Sequence, residues 1–446
     1  MLIKKIKLLI SILSNNSYLC PRIRIEIKME KEIIKRLIIE KQAEIASVEL
    51  IKRPLVLEEA ANYVFVGVRR AGKSYLMYQH ILELICLQRI SIEHVLFINF
   101  EDERIALIKA EELGLLLDAY KEMFDFKPVI FLDEIQNISG WEKFTRRLAD
   151  SKYKVFITGS NAKMLSKDIY TTLGGRFMVH EVFPFSFSEY LTYHRVSLDK
   201  NWAFSDTRTQ VIKLFRDYFY FGGFVESFMI NDKRNWINSL YQKILLGDII
   251  SRNEIRNENA IRVLVKKLAE SVMQPSSMSR LKNIVDSTGT TISRNTLCDY
   301  LQYLTDAYLV FGISNFSDKL SDKETFKKRY FFDNGILNNF LFDPETKLME
   351  NLVAITLKKR YGDDLFYFQR NVEVDFFVPN ERRAVQVSYI MDSELTRQRE
   401  IDALLKLSEI YPLDRLEIVT FDEGSEFRKN GKTIHLIPVW KWLLSI

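Results

Sequence analysis

Gly67-Val68-Arg69-Arg70-Ala71-Gly72-Lys73-Ser74 sets two glycines, a lysine and a hydroxyl at the GxxxxGKS spacing. Such a loop can cradle phosphates. Its glycines let backbone N–H groups turn inward, the following helix adds the positive end of its dipole, and a lysine brings a mobile charge to the β- and γ-phosphates. Ser74 would hold Mg²⁺ through its hydroxyl. Further on, the apolar run Val129-Ile-Phe-Leu ends in Asp133-Glu134. That order gives one carboxylate for magnesium-bound water, Asp133, and one to orient and deprotonate the attacking water, Glu134. The segment 154–158 runs into Gly159-Ser160-Asn161, so Asn161 or Ser160 could sense the γ-phosphate or hold the water. Leu173-Gly-Gly-Arg176 offers an arginine that could neutralise charge on the transferred phosphoryl group, within the chain or from a neighbour. ATP and Mg²⁺ are the implied ligands, with Gly67, Arg69, Arg70, Ala71, Gly72, Lys73, Ser74 and Tyr75 as the nucleotide contacts.

The elements that would carry these residues are short apolar runs alternating with helical patterns, the mark of a parallel α/β sheet flanked by helices. Strands are expected at 63–66, 94–100, 128–132 and 154–158, each rich in Val, Ile and Phe and followed by a turn. The strand at 154–158 is expected between the other two that carry the phosphate chemistry. Ligands bind such sheets at the carboxyl ends of their strands.

With 446 residues, several domains are expected. The divisions fall at an N-terminal extension (1–29), a P-loop core (30–195), a helical lid (196–259) broken at Tyr220-Phe-Gly-Gly-Phe224, a segment of short helices and a hairpin (260–335), and a final strand and helix alternation (336–446). The basic excess is small, 64 Lys and Arg against 59 Asp and Glu, and argues little for nucleic acid. Cys20, Cys86 and Cys298 have neither disulfide nor zinc spacing, which fits a reducing cytoplasm. No segment has the roughly 18 unbroken apolar residues of a membrane span. Residues 1–28 join Lys4, Lys5 and Lys7 to a short apolar stretch, a signal-like pattern without a cleavage site; translation from Met29 is the alternative reading.

Several stretches resemble the AAA-type ATPases of bacteria and archaea whose carboxy-terminal half is a domain of unknown function. They are GVRRAGKS from 67, INFED from 98, VIFLDEIQNISGWEKFTRRL from 129, VFITGSNAKML from 155, LGGRF and FPFSFSEY between 173 and 190, and YFGGFVES from 220. The resemblance covers 30–252 and implies that Asn161 is the sensor and Arg176 the arginine of an LxGR element. Val225 stands where the family has proline.

The resemblance next implies a winged helix. Residues 291–301 agree, with Ile292, Thr296, Leu297, Tyr300, Leu301 and Leu304 at helical spacing and Arg294 and Asn295 left to touch DNA. The basic run Lys327-Lys328-Arg329 would add a phosphate-contacting surface. In the last segment, Glu350, Asp375 and Gln386-Val-Ser388 resemble the PD-(D/E)xK nuclease arrangement, but Gln386 and Ser388 replace a carboxylate and a lysine, which argues against phosphodiester cleavage. The expected function is an ATP-driven conformational switch acting on a protein client, with oligomerisation open. A DNA-binding regulator or defence component that uses ATP as a signal, and a metal-dependent nuclease, are the alternatives.

Overall fold

A computed structural model describes residues 31–88, 90–161, 171–289, 291–391 and 393–446. The extension expected at 1–29, with Cys20, lies outside them. Five strands form one parallel sheet: β1 (Asn62–Val66), β2 (Val95–Asn99), β3 (Val129–Asp133), β4 (Lys154–Gly159) and β5 (Phe177–Glu181). Their order is β2-β3-β4-β1-β5, so β4 lies between the strands that lead into the phosphate loop and the acidic pair, as expected.

The register explains why these segments are strands. Tyr63 pairs with Phe156, Phe156 with Phe131, and Phe131 with Phe97, so the period of two puts four rings in one row across the sheet. Phe131 and Phe156 stack with centroids 4.8 Å apart. All four are buried, and truncating such a ring to alanine typically costs about 3–5 kcal/mol.

β5 was not among the expected strands. It pairs with β1 alone, at the sheet edge, and Met178 and Val179 are exposed, so it lacks the unbroken apolar signature of its buried neighbours.

The segment expected to be a lid contains helices Asp206–Phe221 and Lys233–Lys243, the second continuing into a π-helix at Ile244–Ser251. Between them the chain turns at Gly223, where a Cβ would lie 2.1 Å from the Phe185 carbonyl oxygen. Only glycine allows so close an approach. The Gly223 amide also donates to Asp333 at 2.8 Å, joining this helical segment to the carboxy-terminal half.

Helices Glu258–Glu270, Met278–Ser287 and Arg294–Asp306 surround a small antiparallel sheet ordered β6-β8-β7, from β6 (Ser276–Ser277), β7 (Val310–Ser314) and β8 (Phe326–Phe331). Ile292, Leu297, Tyr300, Leu301 and Leu304 are buried, as their spacing predicts, and Arg294 and Asn295 are exposed. Ser293 caps the last helix by accepting from Thr296 N at 3.0 Å.

The basic run does not form the expected surface. Lys328 is 1 % exposed because strand alternation turns it inward, Lys327 pairs with Glu324 at 3.2 Å, and Arg329 donates to the Ser276 carbonyl at 3.4 Å.

The last unit is a six-stranded mixed sheet, β13-β14-β12-β11-β10-β9. Its strands are β9 (Phe366–Gln369), β10 (Glu373–Val378), β11 (Arg383–Ser388), β12 (Arg415–Thr420), β13 (Ser425–Lys429) and β14 (Lys432–Pro438), with helices Glu345–Tyr361 before β9 and Glu394–Ile410 between β11 and β12. Among the described residues, no helix is long and apolar enough to cross a membrane.

Candidate functional site

β1 ends at Val66 and its chain turns at once into the loop 67–72, from which helix Lys73–Gln88 departs. Gly67 has φ 154°, and a Cβ there would meet the Val182 carbonyl oxygen at 2.1 Å, while Val182 N donates to the Val66 carbonyl at 2.7 Å. The loop is thus pinned at its root against the segment that follows β5. Lys73 is buried at the start of its helix, and its ammonium donates to the carbonyls of Gly67 and Val68, both at 3.1 Å. Burial pulls the Lys73 ammonium below the usual lysine range, opposed by the charges of Glu134 and Asp133.

The acidic pair faces this loop. Ser74 Oγ donates to Asp133 Oδ2 at 2.8 Å, and Thr158 Oγ1 donates to Asp133 Oδ1 at 2.6 Å. Burial, with the nearby Glu134 charge, pushes the Asp133 carboxyl up to about 6, against those two hydrogen bonds. Glu134 takes a left-handed backbone, φ 52°, with its amide donating to Thr158 Oγ1 at 2.8 Å, and its carboxylate stands 3.8 Å from Lys73 Nζ. Burial raises the Glu134 carboxyl, but the Lys73 charge, a hydrogen bond from Gln136 and the Arg69 charge outweigh it and hold the group below its ordinary value.

Beside these residues a cleft of about 570 Å³ opens at the carboxyl ends of the strands, a volume that suits a nucleotide; Gly67, at the root of the loop, does not line it. Gly72, Lys73, Ser74, Tyr75, Arg69 and Arg70 line it with Asp133 and Glu134. Ala71 is buried, its carbonyl accepting from Arg53 NH1 at 2.9 Å. A hydroxyl already bonded to a buried carboxylate beside a lysine-bearing loop is a donor set that fits Mg²⁺ with a polyphosphate.

Ser160 and Asn161 follow β4 and are buried, and Ser160 Oγ accepts from Gln136 Nε2 at 3.4 Å. Asn161 is not among the residues that line the cleft. Arg176 lies elsewhere. It immediately precedes β5, whose Phe177 pairs with Asn62 at the amino end of β1, and it pairs with Asp150. The length of β1 therefore separates it from the phosphate loop, which corrects the expectation that it could serve the cleft of its own chain.

Sequence reasoning missed four residues of the site. Arg53 is buried and donates to Glu189 at 2.6 Å, Ala71 O at 2.9 Å and Phe183 O at 3.0 Å, tying the phosphate loop to the segment after β5. Gln136 donates to the Glu134 carboxylate, and it follows the acidic pair by two positions, so its proximity was legible. Glu101 and Asp248 both grip Arg69, at 3.0 Å each; Glu101 stands in the INFED stretch without a role assigned to it, and nothing local marks Asp248.

In the carboxy-terminal unit, Glu350 and Asp375 do come together, but around a lysine. Lys328 Nζ stands 3.9 Å from Glu350, 3.2 Å from Glu373 and 3.3 Å from Asp375. Tyr330 donates to Glu350 at 2.7 Å, and burial with the neighbouring Asp375 charge raises the Glu350 carboxyl well above its usual range. Gln386 Oε1 accepts from Asp375 N at 2.7 Å and its Nε2 donates to Glu400 at 2.7 Å, while Ser388 Oγ donates to the Ile390 carbonyl at 3.0 Å. Among the described residues, no group of three His, Cys, Asp or Glu side chains is arranged to hold a metal.

Residues 60–191 match the model of an AAA domain, and residues 212–347 match a domain of unknown function, DUF8612. The uncharacterized protein MJ1544 of Methanocaldococcus jannaschii is 34 % identical over 442 residues, spanning 95 % of this chain and 98 % of its own. An uncharacterized protein of Haemophilus influenzae is 28 % identical over 392 residues, spanning 85 % and 94 %. The Walker-type ATPase PABY2304 of Pyrococcus abyssi overlaps with TM-score 0.38 and 16 % identity over 72 % of this chain and 98 % of that one. Carrying an AAA domain over residues 60–191, and with one relative matched along nearly its whole length, the chain belongs to the same family as MJ1544 of Methanocaldococcus jannaschii.

Proposed function

We propose that the chain hydrolyses ATP to ADP and phosphate and uses the cycle to move its lid relative to the sheet. The observation that carries this reading is the meeting of the phosphate loop and the acidic pair, with Ser74 Oγ 2.8 Å from Asp133 and Lys73 Nζ 3.8 Å from Glu134. The N–H groups of the loop and the Lys73 ammonium take the β- and γ-phosphates. Ser74 and, by way of water, Asp133 would hold magnesium, which would supply neutralising charge to the phosphates. Glu134 orients the attacking water and accepts its proton as the water oxygen displaces ADP from the terminal phosphorus.

The cleft wall includes Val225, Glu226, Met229 and Lys243 of the lid, so the lid would feel a change in the phosphates. We read residues 260–335 as a winged helix and 336–446 as a PD-(D/E)xK-like unit, on the element orders above, with a protein as the client.

The test is turnover of ATP by the full chain against Lys73→Ala and Glu134→Gln. Lys73→Ala should lose hydrolysis and ATP binding, and Glu134→Gln should keep binding while turnover falls by roughly 10²–10⁴. Equal rates in all three would remove the reading. DNA contact rests on Arg294 and Asn295, exposed at the start of helix Arg294–Asp306. It requires duplex binding that weakens steeply with salt and is lost in the doubly alanine-substituted chain.

A further inference from the structure

Two arginines stand side by side in the phosphate loop, and both are held by carboxylates outside it. Arg70 pairs with Glu226 and lies over the Trp236 ring at 5.8 Å, both residues of the lid. Arg69 is held more firmly. Its Nε donates to Asp248 Oδ2 at 3.0 Å, its NH2 to Asp248 Oδ1 at 3.4 Å, and its NH1 to Glu101 at 3.0 Å. Asp248 is 4 % exposed and sits within the π-helix Ile244–Ser251, a distortion that recurs at functional sites.

A guanidinium has five N–H donors in a rigid fork. Among the described residues, Asp248 and Glu101 take three of them, which leaves one on NH1 and one on NH2 for phosphate oxygens. Arg69 lines the cleft together with Lys73, Asp133 and Glu134. Its charge is felt by both Lys73 and Glu134. Arg176, by contrast, lies at the amino end of the sheet.

We propose that Arg69 is the arginine this chain presents to the terminal phosphate in its own cleft, with Asp248 as its positioning residue. The inference rests on the ATPase reading and adds to it the connection that couples the phosphate to the lid. While the terminal phosphate is bound, it, Arg69 and Asp248 form one chain of charge-assisted hydrogen bonds from the cleft to the π-helix. Once that phosphate leaves as product, Arg69 keeps Asp248 but loses the partner that drew it inward, and the lid segment is no longer linked to the phosphate. Lysine could not substitute, because a single ammonium cannot span a carboxylate and a phosphate in fixed directions.

The experiment uses the full chain and compares Arg69→Ala, Arg69→Lys, Asp248→Asn and Asp248→Glu with the native protein, reading Mg·ATP and Mg·ADP affinities by calorimetry, together with kcat and KM. Arg69→Ala and Arg69→Lys should cut kcat tenfold or more and narrow the preference for ATP over ADP. Asp248→Asn should lower kcat by a similar factor with ADP affinity within threefold, and Asp248→Glu should restore at least half of the native kcat. If Arg69→Ala and Asp248→Asn keep the native kcat and nucleotide preference while Lys73→Ala abolishes hydrolysis, the inference falls and the ATPase reading stands. If Asp248→Asn weakens ATP and ADP equally with a lowered melting temperature, Asp248 is only structural and the inference also falls. A native chain that hydrolyses no ATP overturns both.

Discussion

Ser74 and Asp133, on different elements, share a hydrogen bond of 2.8 Å at the carboxyl edge of the sheet. Asp133 accepts from Ser74 with one oxygen and from Thr158 with the other, so its ionised form is used on both sides.

A pH dependence follows from the position of that carboxyl, which burial pushes up to about 6. The charged form prevails above that value and is lost below it. The kcat/KM for Mg·ATP should therefore show an acid limb with its midpoint near pH 6, and a limb below pH 5 would contradict the assignment. Stability runs the opposite way. A carboxyl whose folded value lies above its unfolded value of about 3.9 binds protons more tightly in the native state, so its contribution declines as pH rises between those two values.

Gln136 holds the Glu134 carboxylate from two residues along the chain. Hydrogen bonds to charged groups contribute about 1.5–3 kcal/mol, so Gln136→Ala should reduce kcat roughly tenfold to a hundredfold and leave KM for ATP within threefold. A change in KM alone would show that Gln136 serves binding instead of orientation.

Lys328→Met should destabilise the chain by about 3–5 kcal/mol, because a buried charge cluster loses its counter-ion. With the ammonium gone, the folded state retains carboxyl protons that the unfolded chain releases near pH 4.3. The deficit should accordingly be smaller at pH 5 than at pH 8, as read by urea denaturation at both values. An equal deficit would mean that packing of the lysine stem, not its charge, is what matters.

Arg176→Ala should leave turnover within threefold in dilute protein, since the side chain pairs with Asp150 at the far end of β5's neighbour β1. A large loss that is restored by mixing with Lys73→Ala chains would instead place Arg176 in a neighbour's cleft.

The phosphate loop, the acidic pair and four of the five strands of the parallel sheet were legible because each is local. Gly67 to Ser74 is one continuous loop, and buried parallel strands are unbroken apolar runs. β5 was not, since an edge strand with exposed Met178 and Val179 follows no such pattern. Arg53, Glu101 and Asp248 were hidden for a different reason. Their partners lie far along the sequence, and an acidic or basic residue in a helix or loop reads as solvated surface until the fold places its counter-charge. Lys328 shows the same limit. Within Lys327-Lys328-Arg329 it reads as part of a basic face, and only the register of β8 turns it into the charge cluster.

The turn at Gly223 touches the cleft-side segment through the Phe185 carbonyl and the distal half through Asp333. Helix Asp206–Phe221 runs into this junction, and its residues also bond to the far unit, with Asn334 donating to the Phe219 carbonyl at 3.0 Å and Asn338 to that of Tyr220 at 3.0 Å. Severing the gene after residue 259 would leave those carbonyls and the Gly223 amide without their mates and strip cover from Phe219. The nucleotide-handling portion is therefore a poor candidate for expression by itself, because the distal half completes its hydrogen bonding.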